Sequence, residues 1–156
     1  MKENINFLYC FDSNYNIQAF TSIISLLKNT SRKINIYVIH SEDNFNTQVP
    51  KEILNHKNLS SLTSYKFNDY NYDFPNIKNV HISVATYFRL FIKNYLPGNE
   101  KVFVFLDPDV ICIQDPVNEI QNTIKKLNNS EFTIAAKTEH TSGIKRINVN
   151  DKYFNA

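Results

Sequence analysis

Two carboxylates, Asp107 and Asp109, stand one residue apart directly after the apolar run VFVFL. On an extended backbone side chains repeat every second residue, so both fall on the same side of the chain. Charges so close repel each other unless a cation sits near them. Hard oxygen ligands suit Mn²⁺ or Mg²⁺, ions that usually bridge to substrate phosphates. Pro108 fixes φ and removes an amide hydrogen, which stiffens the turn and stops sheet pairing. The plainer reading is a solvated turn, since Asp and Pro are turn residues. Placement at the end of the most apolar strand shifts the balance toward a metal. A second polar cluster, Asp12-Ser13-Asn14, follows the apolar run INFLYCF and has both turn and helix-capping chemistry.

The elements that must position these clusters can be read from periodicity. INFLYCF (5–11) and INIYVI (34–39) read as buried strands rich in β-favouring residues. Between them Ile17, Phe20, Ile23, Ile24 and Leu27 fall at helical spacing, and Asn29-Thr30-Ser31 ends the pattern. Strand, helix, strand with short connections is a βαβ unit with parallel strands and a right-handed crossover. Pro50 starts a short helix to His56, and SLTSYKF (61–67) alternates as a third strand. Residues 68–79 carry aromatics without periodicity. ISVATYFRLFIKNYL (82–96) predicts an amphipathic helix with Val84, Tyr87, Phe88, Phe91, Ile92 and Tyr95 on one stripe, stopped by Pro97-Gly98-Asn99. VFVFL (102–106) predicts the central strand, followed by a helix over 117–127 and a strand around FTIAA (132–136). The class is α/β with a mostly parallel sheet, whose ligands bind beyond the carboxyl ends of strands.

At 156 residues, with 42% hydrophobic and 21% charged residues, the chain fits one ordered domain, 1–156. Its two glycines, Gly98 and Gly143, cannot write either common glycine-rich nucleotide cradle. The net charge of +2 is spread along the chain and leaves no nucleic-acid footprint. Cys10 and Cys112 sit in apolar runs and read as buried reduced thiols in strands. No stretch approaches a membrane span and no basic-then-apolar leader opens the sequence, so a cytoplasmic protein is expected.

From His81 to Ile120 the chain resembles family 8 glycosyltransferases, the retaining enzymes that include bacterial lipopolysaccharide galactosyl- and glucosyltransferases. His81-Ile82-Ser83, Thr86-Tyr87-Phe88-Arg89-Leu90 and Leu106-Asp107-Pro108-Asp109 match the family's ordered motifs. Asp12-Ser13-Asn14-Tyr15 looks like its Asp-x-Asn-Tyr, and Tyr153-Phe154-Asn155-Ala156 like its Tyr-Phe-Asn segment, cut just before a glycine. The resemblance spans essentially the whole chain and implies a GT-A-type, Rossmann-like domain. It implies a UDP-galactose or UDP-glucose donor and a saccharide acceptor, as in lipopolysaccharide or other surface glycan synthesis, with contact at the inner membrane face where that acceptor is lipid-linked. It implies that Asp12 and Asn14 meet the polar edge of uracil or ribose, that Tyr15 lies against the base, and that Arg89 projects toward the donor sugar or Asp107. Asp107 and Asp109 would hold Mn²⁺, with Mg²⁺ as the alternative; Asp107 would also reach the ribose or sugar, and Asn155 would contact the donor sugar.

Departures accompany the match. Phe105 stands where the family usually has Tyr, and Lys137-Thr138-Glu139 stands where an acidic residue often follows a strand. Catalytic domains of the family are typically longer, so a C-terminally incomplete domain is expected, without the third metal ligand and the acceptor wall. None of His40, His56, His81 and His140 stands in the context of that ligand, and each reads as structural or exposed. Two other readings compete. One is a UDP-sugar-binding module without turnover. The other is a haloacid-dehalogenase-type phosphohydrolase, whose nucleophile motif is also an apolar strand followed by Asp-x-Asp-Val, with Asp107 attacking phosphorus and Asp109 as general acid/base.

Overall fold

The computed structural model of the chain describes residues 4–68, 84–98 and 102–136. Four parallel strands form one sheet: β1 (Ile5–Phe11), β2 (Ile34–His40), β3 (Leu59–Lys66) and β4 (Val104–Phe105). Their order is β3-β2-β1-β4. The chain builds outward from β1 to β3 and then returns to lay β4 on the other side of β1. That reversal makes the carboxyl ends of β1 and β4 a topological switch point, where open α/β sheets leave a crevice.

Alternation along the strands builds two apolar layers. Phe7, Tyr9 and Phe11 of β1, with Ile34, Ile36 and Val38 of β2, pack under α1 (Asn16–Asn29), α3 (Lys51–Leu54) and Val117, the first residue of α4 (Val117–Asn128). The opposite residues Leu8, Cys10, Tyr37 and Ile39 pack against Ala85 and Phe88. A four-residue helix, α2 (Phe45–Gln48), follows β2 and buries Phe45; the sequence reading had no element there. In α1 the buried face is Ala19, Ser22, Ile23, Leu26 and Leu27, while Ile17 is 80% exposed on the far side.

Four expectations need correction. The segment Val84–Asn94 is a 3₁₀ helix rather than an α-helix. With three residues per turn, positions i and i+3 align, so Ala85, Phe88 and Phe91 face the sheet and Val84 turns outward. VFVFL is not central: only Val104 and Phe105 form a strand, half-buried at the edge of the described sheet. FTIAA makes no strand, and Phe132 and Ile134 are 77% and 81% exposed, with no described strand beside them to pair with. Cys10 is a buried free thiol of β1 as expected, but Cys112 is half-buried in an irregular stretch between β4 and α4. That stretch is tied to α1: Asn29 Nδ2 donates to Cys112 O at 2.9 Å, and Cys112 N donates to Ser25 Oγ at 2.9 Å. Asp115 Oδ1 then accepts from Val117 N at 3.1 Å, satisfying a free amide at the start of α4. Side-chain and backbone bonds from Ser31 hold the Asp115 carboxyl below its usual range.

Candidate functional site

Phe11 ends β1, and the chain turns at once into a 3₁₀ turn, Ser13–Tyr15. Asp12 makes that turn. Its Oδ1 accepts from Asn14 N at 3.0 Å, and its carbonyl accepts from Tyr15 N at 3.0 Å. The turn sets Tyr15 at the mouth of the crevice. Across from it, Leu106 N donates to Leu8 O at 3.0 Å, the last ladder bond of β4 before Asp107. Pro108 has no N–H with which to extend the ladder, and Val110 N closes a turn on Asp107 O at 3.2 Å. The carboxylates therefore leave the sheet where the Tyr15 turn also leaves it.

The third wall is the 3₁₀ helix. Phe88 stacks on Phe67 with ring centroids 4.0 Å apart and planes at 14°, and Phe91 meets Phe67 edge-on at 5.6 Å. Aromatic pairs of this kind are worth about 0.5–1.5 kcal/mol beyond their buried area. Tyr95 OH also accepts from Asn68 N at 2.9 Å, so the helix is pinned to the end of β3. That leaves Arg89 on the free side, facing the carboxylates. Its Nη2 lies 3.6 Å from Asp107 Oδ1, its Nε donates to Thr86 O at 3.0 Å, and its Cζ sits 4.8 Å from the centre of the Phe105 ring. Phe105 therefore supplies an aromatic face that steers the guanidinium toward Asp107.

These three walls enclose a cleft of about 180 Å³, lined by Tyr15, Arg89, Asp107 and Asp109 together with Phe11, Thr86 and Pro108. Cys10 and Ala85 close its floor. Burial pushes the Cys10 thiol up to about 12, which keeps it protonated and unreactive. Of the residues singled out from the sequence, the fold brings Tyr15, Arg89, Asp107 and Asp109 into this one cleft. Asp12 and Asn14 lie beside it in the Tyr15 turn without lining it. Asn155, His81 and Lys137-Thr138-Glu139 lie outside the described residues. The sequence reading missed Cys10, Phe11 and Thr86 as lining residues. For Cys10 and Phe11 the signal was position, since they end a strand at the switch point of the sheet, whereas Thr86 comes from the 3₁₀ helix one turn before Arg89 and had none.

The donor set fits a hard divalent cation. Asp107 and Asp109 are two exposed carboxylates on one cleft, and such ions keep several waters and bind substrate phosphates with one or two carboxylates. Among the described residues no group of three His, Cys, Asp or Glu gathers around a metal-sized space. Asp107 and Asp109 would hold such a cation, and Arg89 adds a guanidinium to the same cleft.

The sequence model of glycosyl transferase family 8 matches residues 6–156. A protein of Haemophilus influenzae described as “Putative glycosyltransferase” is 33% identical over 114 residues, 70% of this chain and 33% of that protein. The chain thus spans about a third of the length of that curated relative. The crystal structure of the galactosyltransferase LgtC in complex with donor and acceptor sugar analogs matches with a TM-score of 0.62 at 20% identity, over 74% of this chain and 41% of that one. The apo structure of the bifunctional glycosyltransferase WbbM matches with a TM-score of 0.52 at 20% identity, over 78% of this chain and 21% of that one. At these identities the two structures speak for the fold, an α/β domain with a mostly parallel sheet.

Proposed function

Since the chain belongs to glycosyltransferase family 8, we propose that the cleft between β1 and β4 is the donor site of a metal-dependent hexosyltransferase acting with retention. The donor is a UDP-sugar, UDP-galactose or UDP-glucose, and the acceptor is a saccharide of a lipopolysaccharide or another surface glycan. One observation carries this reading: Tyr15, Arg89, Asp107 and Asp109 converge on one cleft at the switch point of the sheet. A nucleoside diphosphate needs that combination, an apolar face for its base and positive charge for its phosphates.

Each residue has a task. Tyr15 lies against the uracil ring, and the free oxygen of Asp12 and the Asn14 amide meet polar edges of uracil or ribose. Asp107 and Asp109 hold Mn²⁺ or Mg²⁺. When bound, the ion neutralises the diphosphate as a leaving group. Arg89, released from Asp107, turns its donors toward the sugar or the phosphates, and Asn155 contacts the sugar. Family membership leaves the phosphohydrolase reading without support. A UDP-sugar-binding module without turnover remains the second reading, because the chain covers only 33% of its curated relative. The reading places the reaction in the cytoplasm, at the inner membrane face where the acceptor is lipid-linked; no helix among the described residues is long and apolar enough to cross a membrane.

Calorimetric titration with UDP and ADP, with and without Mn²⁺, tests the site. Metal-dependent binding that prefers UDP supports the reading, and no binding of either nucleotide refutes it. Incubation with UDP-galactose or UDP-glucose, Mn²⁺ and an oligosaccharide acceptor separates the two forms. The chain covers 33% of its curated relative, so it is expected to bind UDP-sugar weakly at best and to show no transfer, with slow donor hydrolysis the most it could do. Saturable transfer by the chain alone would overturn that expectation.

A further inference from the structure

His40 is the last residue of β2 and is fully buried, yet it belongs to no part of the proposed chemistry. Its ring meets Phe11 of β1 edge-on at 5.2 Å and Phe45 of α2 at 4.8 Å. Glu42 N donates to Nδ1 at 3.0 Å, so Nδ1 carries no proton. The proton is therefore on Nε2, which lies 3.0 Å from Asn16 Oδ1. Each following group is oriented by the one before. Asn16 Nδ2 donates to Gln48 Oε1 at 2.6 Å, and Gln48 Nε2 donates to Glu42 Oε2 at 3.2 Å and to Asn44 Oδ1 at 2.9 Å. The bonds close a ring: His40, Asn16, Gln48, Glu42 and back through the Glu42 amide to His40.

This ring grips the Asp12–Tyr15 turn from both sides. Asn16 directly follows Tyr15, and its backbone N–H donates to Ser13 O. On the other side Ser13 hydrogen-bonds the Glu42 carboxylate, which with Gln48 holds that carboxyl below its usual range. We propose that His40 is a positioning residue for the nucleotide side of the cleft, its neutral imidazole fixing Asn16 and through it the orientation of Tyr15. The structural claim stands on the ring itself; its consequence for nucleotide binding rests on the donor-site reading.

A pH dependence follows from the tautomer. An imidazolium must donate from both nitrogens, so a proton on Nδ1 would confront the Glu42 N–H. The ionisable groups that act on His40 are Glu42 and Asp12, whose negative charges favour the imidazolium, against a burial that disfavours it more. From α1 it meets Asn16, from α2 Phe45 and from β1 Phe11, none of them charged, while on β3 Lys66 stands opposite it in register with its ammonium 2.6 Å from Asp43 Oδ2. Acidification should therefore loosen the turn before it unfolds the sheet.

The test reads the amides of Tyr15 and Asn16 by NMR exchange, which needs no ligand. Gln at position 40 can place its Nε2 donor near the Nε2 of histidine, whereas Asn can replace only the Nδ1 acceptor. His40→Asn should speed exchange of those two amides about tenfold, as for one lost hydrogen bond, while Ile36 and Val38 in the strand keep their rates. His40→Gln should stay within about threefold of wild type and lose the acid dependence. Asn16→Ala breaks the same link from the half-buried side and decides the matter if the His40 variants fail to fold. Unchanged turn amides in His40→Asn and Asn16→Ala would overturn the proposal, as would uniform acceleration across turn and strand. UDP titration of the same proteins is judged separately. A wild type that ignores UDP sinks the donor-site reading and leaves the exchange pattern to decide the role of His40.

Discussion

Removing one carboxylate charge from the Asp107–Asp109 pair should sharply weaken metal-dependent ligand binding and leave the fold almost untouched. The structural side of this can be worked from Arg89. Its Nη2 is 3.6 Å from Asp107 Oδ1, and the two side chains are 42% and 54% exposed. At that distance two unit charges attract by about 1 kcal/mol in water, and exposed pairs measured by mutation give about 0.2–1 kcal/mol. Asn at position 107 keeps an oxygen for the guanidinium, and the mutual repulsion of the carboxylates is relieved. The stability change in Asp107→Asn should therefore stay below about 1 kcal/mol, a melting shift of a few degrees at this chain length. The binding side is larger. A carboxylate at coordination distance from a divalent ion gains about 4 kcal/mol even at the dielectric constant of water. Allowing for waters that replace it, Asp107→Asn or Asp109→Asn should weaken metal-dependent UDP binding by about 2–4 kcal/mol, or thirty- to a thousandfold. Thermal unfolding and calorimetry on the same samples read both quantities. Equal UDP affinity in wild type and both variants, with and without Mn²⁺, would refute the metal site outright.

Asp12→Ala should weaken UDP more than ADP, by about 1–3 kcal/mol, because it removes an acceptor for the uracil imide. Equal losses for both nucleotides in the same titration would confine Asp12 to its bond with Asn14 N. Ser22→Ala should destabilise the chain by about 1–3 kcal/mol in urea unfolding, since Tyr9 OH, 3.2 Å from Ser22 Oγ, would be buried without that partner. Stability should fall as pH drops below 6.5, the ordinary value for His40, because the unfolded chain takes up a proton that buried His40 resists. The carboxyls of Glu42 and Asp115, held low in the folded chain, should add a second loss as pH falls below their ordinary values of 4.5 and 3.8. Urea midpoints across this range check both steps, and His40→Gln should flatten the first.

Much of the fold is written locally. INFLYCF and INIYVI become β1 and β2 almost to the residue, because continuous apolar runs bounded by turn residues have one stable outcome between two helical layers. The βαβ connection then makes them parallel and neighbouring. Asp107 and Asp109 were legible as a pair from their spacing, but the extended backbone expected there is a turn closed from Val110 N to Asp107 O, and that turn leaves both carboxylates on one cleft. Tertiary structure alone decided where VFVFL sits. An apolar run reports that a strand wants burial, but its place at the edge beside β1 depends on which neighbour it pairs with. The same limit explains FTIAA, whose β-favouring residues stay irregular without a described strand beside them. It also bears on the 3₁₀ helix, whose winding turns Ala85, Phe88 and Phe91 to the sheet with Phe88 stacked on Phe67, a contact between distant segments that the apolar stripe did not specify. The meeting of Tyr15, Arg89 and Asp107 and the ring around His40 join residues far apart in the chain. Their contacts follow from strand order and register, which no local pattern encodes.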